Sequence, residues 1–220
     1  MNFYENHCLP HILNFICGLD VIQKQREKVV PLAQGKVLEI GMGSGLNIPF
    51  YRAENIELVW GLEPSEGMRK KAQSNLKQAP FEIRWLDLPS EEIPLDNDSV
   101  DTVVLTYTLC TIPDWNRALQ QMRRVLKPNG KLIFCEHGEA PDENIRRWEE
   151  KVNPIWRKVA GGCNLGRPIP SLIEEGGFVI QKLESEYLPG PKFAAFNYWG
   201  TANSSSYKIE GKSNFKQQNI

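Results

Sequence analysis

The run Val37-Leu38-Glu39-Ile40 is apolar but for one acid, and it passes directly into Gly41-Met42-Gly43-Ser44-Gly45. Glycine takes left-handed backbone without strain and lets a ligand approach the main chain closely. Three glycines two residues apart after a buried run therefore mark a tight turn leaving a strand. Further apolar runs follow at residues 56–62, 81–86, 99–109 and 131–137, separated by helical periods at 65–79 and 116–127. Such alternation implies βαβ units and a parallel sheet. The strands are nearly continuously apolar, as they are when helices cover both faces. The expected fold is thus α/β, a doubly wound Rossmann-like sheet of about seven strands with helices on both faces. In such sheets ligands bind beyond the carboxyl ends of the strands.

The glycine spacing narrows the ligand. A dinucleotide fingerprint is G-x-G-x-x-G and sets a pyrophosphate on a helix N-terminus. Here the third glycine comes one residue early and Glu39 precedes the first by two. A carboxylate at that position opposes a pyrophosphate and suits a ligand with a cationic amino group. A second acid, Glu63, ends the next apolar run, where a carboxylate can accept from two ribose hydroxyls. Glu39, the glycine turn and Glu63 together point to S-adenosylmethionine, which carries an amino group, a sulfonium and a ribose but no phosphate. The competing readings are a tight turn without a ligand and a nicotinamide site, which the glycine spacing opposes.

Outside this region the chain divides into three. Leu9, Ile12, Leu13, Ile16 and Leu19 form the apolar stripe of an amphipathic helix, and residues 1–34 read as an N-terminal helical cap. Residues 35–202 read as the catalytic domain, with a helix-like run to Arg52, a helix at 142–158, a short one from Ser171, and closing strands at 178–188 and 192–202. Residues 203–220, rich in Ser, Asn, Gln and Lys, read as a flexible tail. Twenty-six basic against 27 acidic residues give a net charge of -1 and no drive toward nucleic acid. The N-terminus lacks a basic n-region and there is no apolar run of about 20 residues, so neither a signal peptide nor a membrane span is expected. The five cysteines show no CxxC and fit reduced thiols in a cytoplasmic protein. No His, Cys and carboxylate group has ligand spacing along the chain, so no metal is expected. His7 and His11 read as surface groups. Arg146-Arg147 beside Trp148 reads as a solvated helix face, because Glu149 and Glu150 cancel its charge.

VLEIGMGSGLN, LEPSEGM, SEEIPLDNDSVDTVVLTYTL and RRVLKPNGKLIFCEHG resemble, in that order, the motifs of class I S-adenosylmethionine-dependent methyltransferases over about residues 35–140. TYTLCTIPD, NPIW, GGCNLGRP and the closing GP-x-x-x-x-F-N-Y-W-G-T-A look like a bacterial branch related to the animal thiol S-methyltransferases of the methyltransferase-like seven group. The resemblance implies an antiparallel closing strand. It implies that Gly41, Met42, Gly43 and Gly45, with Asn47, hold the methionine part of the cofactor. Glu39 would hold the loop or reach the amino group through water, and Glu63, Pro64 and Ser65 would take the ribose. Asp87, Leu88 and Ser90 would flank adenine, with Asp87, Ser90 and the Leu88 backbone all open for the amino group. Thr106 and Tyr107 would lie beside the methyl group. His137 and Tyr107 are the catalytic candidates, with Glu136 a further base. Either of Cys110 and Cys163 would line the pocket as a small apolar group; of Trp148, Trp156, Phe193, Phe196, Tyr198 and Trp199 most would be core and some would close a lid with Leu9, Leu13 and Ile16. The animal relatives begin with a hydrophobic anchor, where this chain has only its short amphipathic helix, so contact with a membrane surface is not expected. The expected partner is a small-molecule acceptor, a thiol first, or a nitrogen or oxygen of a quinone, lipid or secondary metabolite. The expected assembly is a monomer or homodimer. A cofactor-binding protein without catalysis is the reading from another class.

Overall fold

A computed structural model of the chain describes residues 9–204, so the expectations for His7, Cys8 and the tail from residue 205 lie outside the described residues. Two helices open it, α1 (Leu9–Cys17) and α2 (Asp20–Val29). Then come β1 (Gly35–Ile40), β2 (Ile56–Leu62), α3 (Glu66–Leu76), β3 (Ile83–Leu86), β4 (Val100–Thr106), α4 (Trp115–Val125) and β5 (Leu126–His137). The chain continues through α5 (Glu143–Val159), α6 (Ile169–Glu175), β6 (Phe178–Tyr187) and β7 (Phe196–Ser204).

The strands form one sheet in the order β3-β2-β1-β4-β5-β7-β6. The first five are parallel, and β7 pairs antiparallel with both β5 and β6. The order reverses between β1 and β4, so the carboxyl ends of those strands flank a crevice. Val37 to Ile40 and Thr102 to Thr106 are fully buried or nearly so, as central strands covered on both faces must be. One core lies under α4 and α6, where Leu38, Ile40, Val103 and Leu105 meet Leu119, Met122 and Ile173. The other lies under α2, where Val37, Val104 and Ile133 meet Val29, Val30 and Trp199. Lys28 anchors α2 to the antiparallel pair, 3.9 Å from the centre of the Trp199 ring and 2.6 Å from Glu186.

Four local expectations change. The run after Gly45 is a series of turns ending in a single 3-10 turn, Ile48–Phe50, and not a helix to Arg52. Pro49 has no N–H to continue an α-helical ladder there. Strand β4 ends at Thr106, because Tyr107 turns the chain with φ of 53°. Residues 126 and 127 leave the helix early and join β5, with a register shift against β4 that absorbs the Pro128-Asn129-Gly130 turn. The last strand begins at Phe196 and runs to Ser204, past the expected boundary at 202, while residues 192–194 form a 3-10 turn. Among the described residues no helix is long and apolar enough to cross a membrane.

Candidate active site

A cavity of about 480 Å³ opens at the carboxyl ends of β1, β2 and β4. Gly41, Met42, Gly43 and Ser44 line one side with Glu63 and Ser65; α1 covers it with Leu9, Leu13, Ile16 and Cys17; Cys110, His137, Trp156, Cys163 and Phe193 line the far side.

The glycine turn is shaped as its spacing requires. Gly41, Gly43 and Gly45 all have left-handed backbone, with φ of 63°, 59° and 77°. A side chain at Gly41 would also collide with Thr108, at 2.4 Å. The turn is pinned from β2. Glu63 Oε2 accepts from the Gly43 amide at 3.0 Å, and Oε1 accepts from the Ser65 amide at 2.8 Å. Ser65 Oγ in turn caps α3 by accepting from Met68 N. Burial pushes the Glu63 carboxyl up, while the amides of Ser65 and Gly43 and the Arg69 guanidinium pull it down. Each Glu63 oxygen accepts only one of these bonds, and the residue lines the cavity. The cradle therefore fits S-adenosylmethionine: an unhindered glycine backbone for the amino-acid part, and an acid ending β2 for the ribose hydroxyls. Ser44 Oγ, also on the cavity wall, is buried without a hydrogen-bond partner and is a further polar contact for a ligand.

Glu39 does not reach the cavity. It is 1% exposed and sits beneath the turn, where Oε1 accepts from Asn47 Nδ2 at 2.9 Å and Oε2 from the Tyr51 hydroxyl at 2.7 Å. Asn47 Nδ2 also donates to Thr106 Oγ1 at 2.9 Å. Arg26, from α2, donates to Asn47 Oδ1 at 2.7 Å and to Thr106 Oγ1 at 3.0 Å. Burial raises the Glu39 carboxyl to about 7, against the lowering effect of Tyr51, Arg26 and Asn47. This network ties α2, β1, the turn and β4 into one unit, so Glu39 and Asn47 position the turn from below. Neither Arg26, in the charged stretch 23–28, nor Tyr51 is marked by any local motif.

Gly45, expected at the methionine part, does not line the cavity; of the other ribose and adenine candidates Ser65 does, whereas Pro64, Asp87, Leu88 and Ser90 do not. Asp87 is exposed, and Ser90 is buried with its hydroxyl 3.3 Å from Glu91. Leu86 O accepts from Glu63 N at 3.0 Å, so the segment after β3 starts alongside the ribose acid.

Thr106 and Tyr107 line the cavity at the end of β4. The Tyr107 hydroxyl donates to Asn197 Oδ1 at 2.8 Å, its ring faces the Arg26 guanidinium, and burial holds it well above the usual tyrosine range. That hydroxyl is thus committed to Asn197 at the cavity wall. Glu136 is fully buried, does not line the cavity and accepts from Thr108 N at 2.8 Å. Burial lifts it to about 7, opposed by the amides of residues 108–110 and by His137.

His137 ends β5, lines the cavity and is 8% exposed, with Nε2 buried and without a partner. Its Nδ1 is 4.0 Å from Cys163 Sγ, which is 3.5 Å from Cys110 Sγ. The neighbouring Cys110 thiol and the imidazole pull Cys163 down against the opposing effect of burial, while Cys110 is pushed up. These three residues lie far apart in sequence, so their spacing gave no signal. The aromatic expectation divides: Trp156 and Phe193 line the cavity, Trp199 is core, and Trp148 is 60% exposed.

Comparison with known proteins agrees with this architecture. Residues 38–134 match the model of a methyltransferase domain. The human thiol S-methyltransferase TMT1B is 32% identical over 166 residues, which cover 72% of this chain and 66% of that protein. A demethylmenaquinone methyltransferase from Clavibacter sepedonicus is 27% identical over 119 residues, 54% of this chain and 48% of that one. The solved structure of a S-adenosylmethionine-dependent methyltransferase from Leishmania major superposes with a TM-score of 0.67 at 15% identity, covering 91% of this chain and 80% of that one. The chain thus spans just under two thirds of the human relative, and its overlap with the structural neighbour speaks for the fold alone. Domain model, relatives and sheet order agree: the chain belongs to the class I S-adenosylmethionine-dependent methyltransferases.

Proposed function

We propose that the protein transfers the methyl group of S-adenosylmethionine to a small thiol held in the apolar half of the cavity. The observation that carries this reading is His137 on the far wall of a largely apolar pocket, across from the glycine turn and Glu63. When bound, the cofactor supplies an electrophilic methyl group on a sulfonium. The glycine turn and Glu63 hold and orient it. Leu9, Leu13 and Ile16 from α1 and Trp156 and Phe193 from the far wall exclude water, which matters because in-line displacement depends mainly on positioning and desolvation. An ordinary thiol has a pKa near 8.5, so a modest local effect suffices to give a thiolate. His137 is the cavity group that supplies it, by taking the proton or by stabilising the sulfur anion.

The apolar lining and the similarity to a demethylmenaquinone methyltransferase also support a second reading, in which the acceptor is a quinone or related carbon, nitrogen or oxygen nucleophile. Transfer from labelled S-adenosylmethionine to a panel of alkyl and aryl thiols, amines, phenols and quinols separates the two. Label in a thioether is the expected result; label confined to another class rejects the thiol. His137→Ala should lower kcat at least about tenfold with cofactor affinity kept, the usual scale for a group assisting proton removal being larger still. Full turnover in this variant removes His137 from the reaction.

A further inference from the structure

We propose that Cys110, His137 and Cys163 form a site for a thiophilic cation of the zinc class, with a fourth position open to the acceptor end of the cavity. The three side chains come from three segments: the loop after β4, the end of β5 and the loop between α5 and α6. The two Sγ atoms are 3.5 Å apart, Cys163 Sγ is 4.0 Å from His137 Nδ1, and all three donor atoms lie within 4.8 Å of one another. Around zinc, with bonds of about 2.3 Å to sulfur and about 2.0 Å to nitrogen, tetrahedral donors stand roughly 3.5–3.8 Å apart. One face of that tetrahedron is already assembled to within about 1.3 Å by this arrangement.

The scaffold behind the face is firmly tied. Asn164 N donates to Cys110 O at 3.0 Å, joining the two cysteine-bearing loops through their backbones. Asn153 holds the second loop through Asn164 Oδ1 and Leu165 N, each at 3.0 Å. Arg167 ties it to the first by donating to Leu109 O and Ile112 O. Ligands held this way lose little freedom when a metal enters. Two thiolates and an imidazole select zinc-like or softer ions over magnesium and calcium, which prefer oxygen. Three protein ligands with one open position is also the pattern of reactive zinc sites, where structural sites use four. All three residues line the cavity, so a ligand entering it can reach them.

The use of the fourth position rests on the thiol reading above. An acceptor thiol entering it would give its proton to solvent and be held as a thiolate, with His137 acting there as a ligand through a ring nitrogen in place of taking the proton. The thiolate's lone pair then forms the new S–CH3 bond as the cofactor's S–CH3 bond breaks, and a thioether and S-adenosylhomocysteine leave.

The test is titration of the full chain, reduced, stripped by chelator and kept from air, with cobalt(II) alone and then zinc(II). The expected result is a single cobalt per chain, with a thiolate-to-metal charge-transfer band that zinc abolishes. Cys163→Ser and His137→Gln should each weaken uptake by about tenfold or more. Calorimetry with S-adenosylmethionine shows that both variants are folded. No saturable uptake by the reduced protein overturns the site, as does a band unchanged in both variants. A disulfide between Cys110 and Cys163 whose reduction restores no metal uptake also overturns it. Metal uptake without methylation of any thiol keeps the site and rejects the thiol reading. Full thiol methylation by the metal-free protein keeps that reading and rejects the metal's part in it.

Discussion

Replacing Glu63 by Gln tests the cofactor site most directly. The carboxylate uses one oxygen for Gly43 N and the other for Ser65 N. An amide of the same shape has one acceptor, so one of these N–H groups would face an NH2 group. A hydrogen bond to a charged acceptor is worth about 1.5–3 kcal/mol, and a neutral one about 1 kcal/mol. The unliganded protein should therefore lose roughly 1–3 kcal/mol, about 2–4 °C of Tm for each kcal/mol in a chain of this size. The two ribose hydroxyls would likewise meet a single neutral acceptor. Affinity for S-adenosylmethionine should fall by a further 1–3 kcal/mol or so, about 5- to 150-fold. Calorimetric titration with S-adenosylmethionine and S-adenosylhomocysteine reads the second effect, and thermal melting without ligand reads the first. Both ligands carry the same ribose, so both should weaken equally. Unchanged affinity, or a loss confined to one ligand, would refute the placement of the ribose against the end of β2.

Arg26→Met removes the buried hydrogen bonds to Asn47 Oδ1 and Thr106 Oγ1 and the cation near Glu39, so stability at pH 8 should fall by about 2–3 kcal/mol in denaturant titration. Adding Glu39→Gln should recover part of it, and a loss below about 1 kcal/mol would show that Arg26 is incidental. Glu39 itself gives a pH dependence of definite sign. Its folded carboxyl lies at about 7 against an ordinary 4.5, so the folded state holds the proton more tightly. That contribution to stability is full below the ordinary value and is lost as pH rises through about 7. Between pH 5 and 8, Glu39→Gln should gain roughly 2–3 kcal/mol on the native protein, and a constant difference over that range would contradict the burial argument.

The course of the chain shows why some of this was legible and some was not. The apolar run ending at Ile40, the left-handed glycines and Glu63 at the end of β2 are local features. Backbone sterics and the reach of a carboxylate act over a few residues, so their spacing already carried the cofactor and the α/β fold. The helix expected up to Arg52 fails for an equally local reason, the missing N–H of Pro49, and that signal was there to be read.

The rest depended on long-range packing. Arg26 stands in the charged stretch 23–28, and only the docking of α2 onto β5 and β7 brings its guanidinium to Asn47 and Thr106. The sequence left Glu39 open between holding the loop and reaching the ligand's amino group through water; the turn folds over it and makes it a buried support. Cys110, His137 and Cys163 are separated by 27 and 26 positions, and they meet because two parallel strands end side by side and the loop after α5 returns across them. The sequence alone thus determined the strand-and-turn chemistry that receives the cofactor. The tertiary structure alone decided which charges are buried, which support the turn from below, and which side chains face the acceptor, because those depend on contacts between segments that no local spacing encodes.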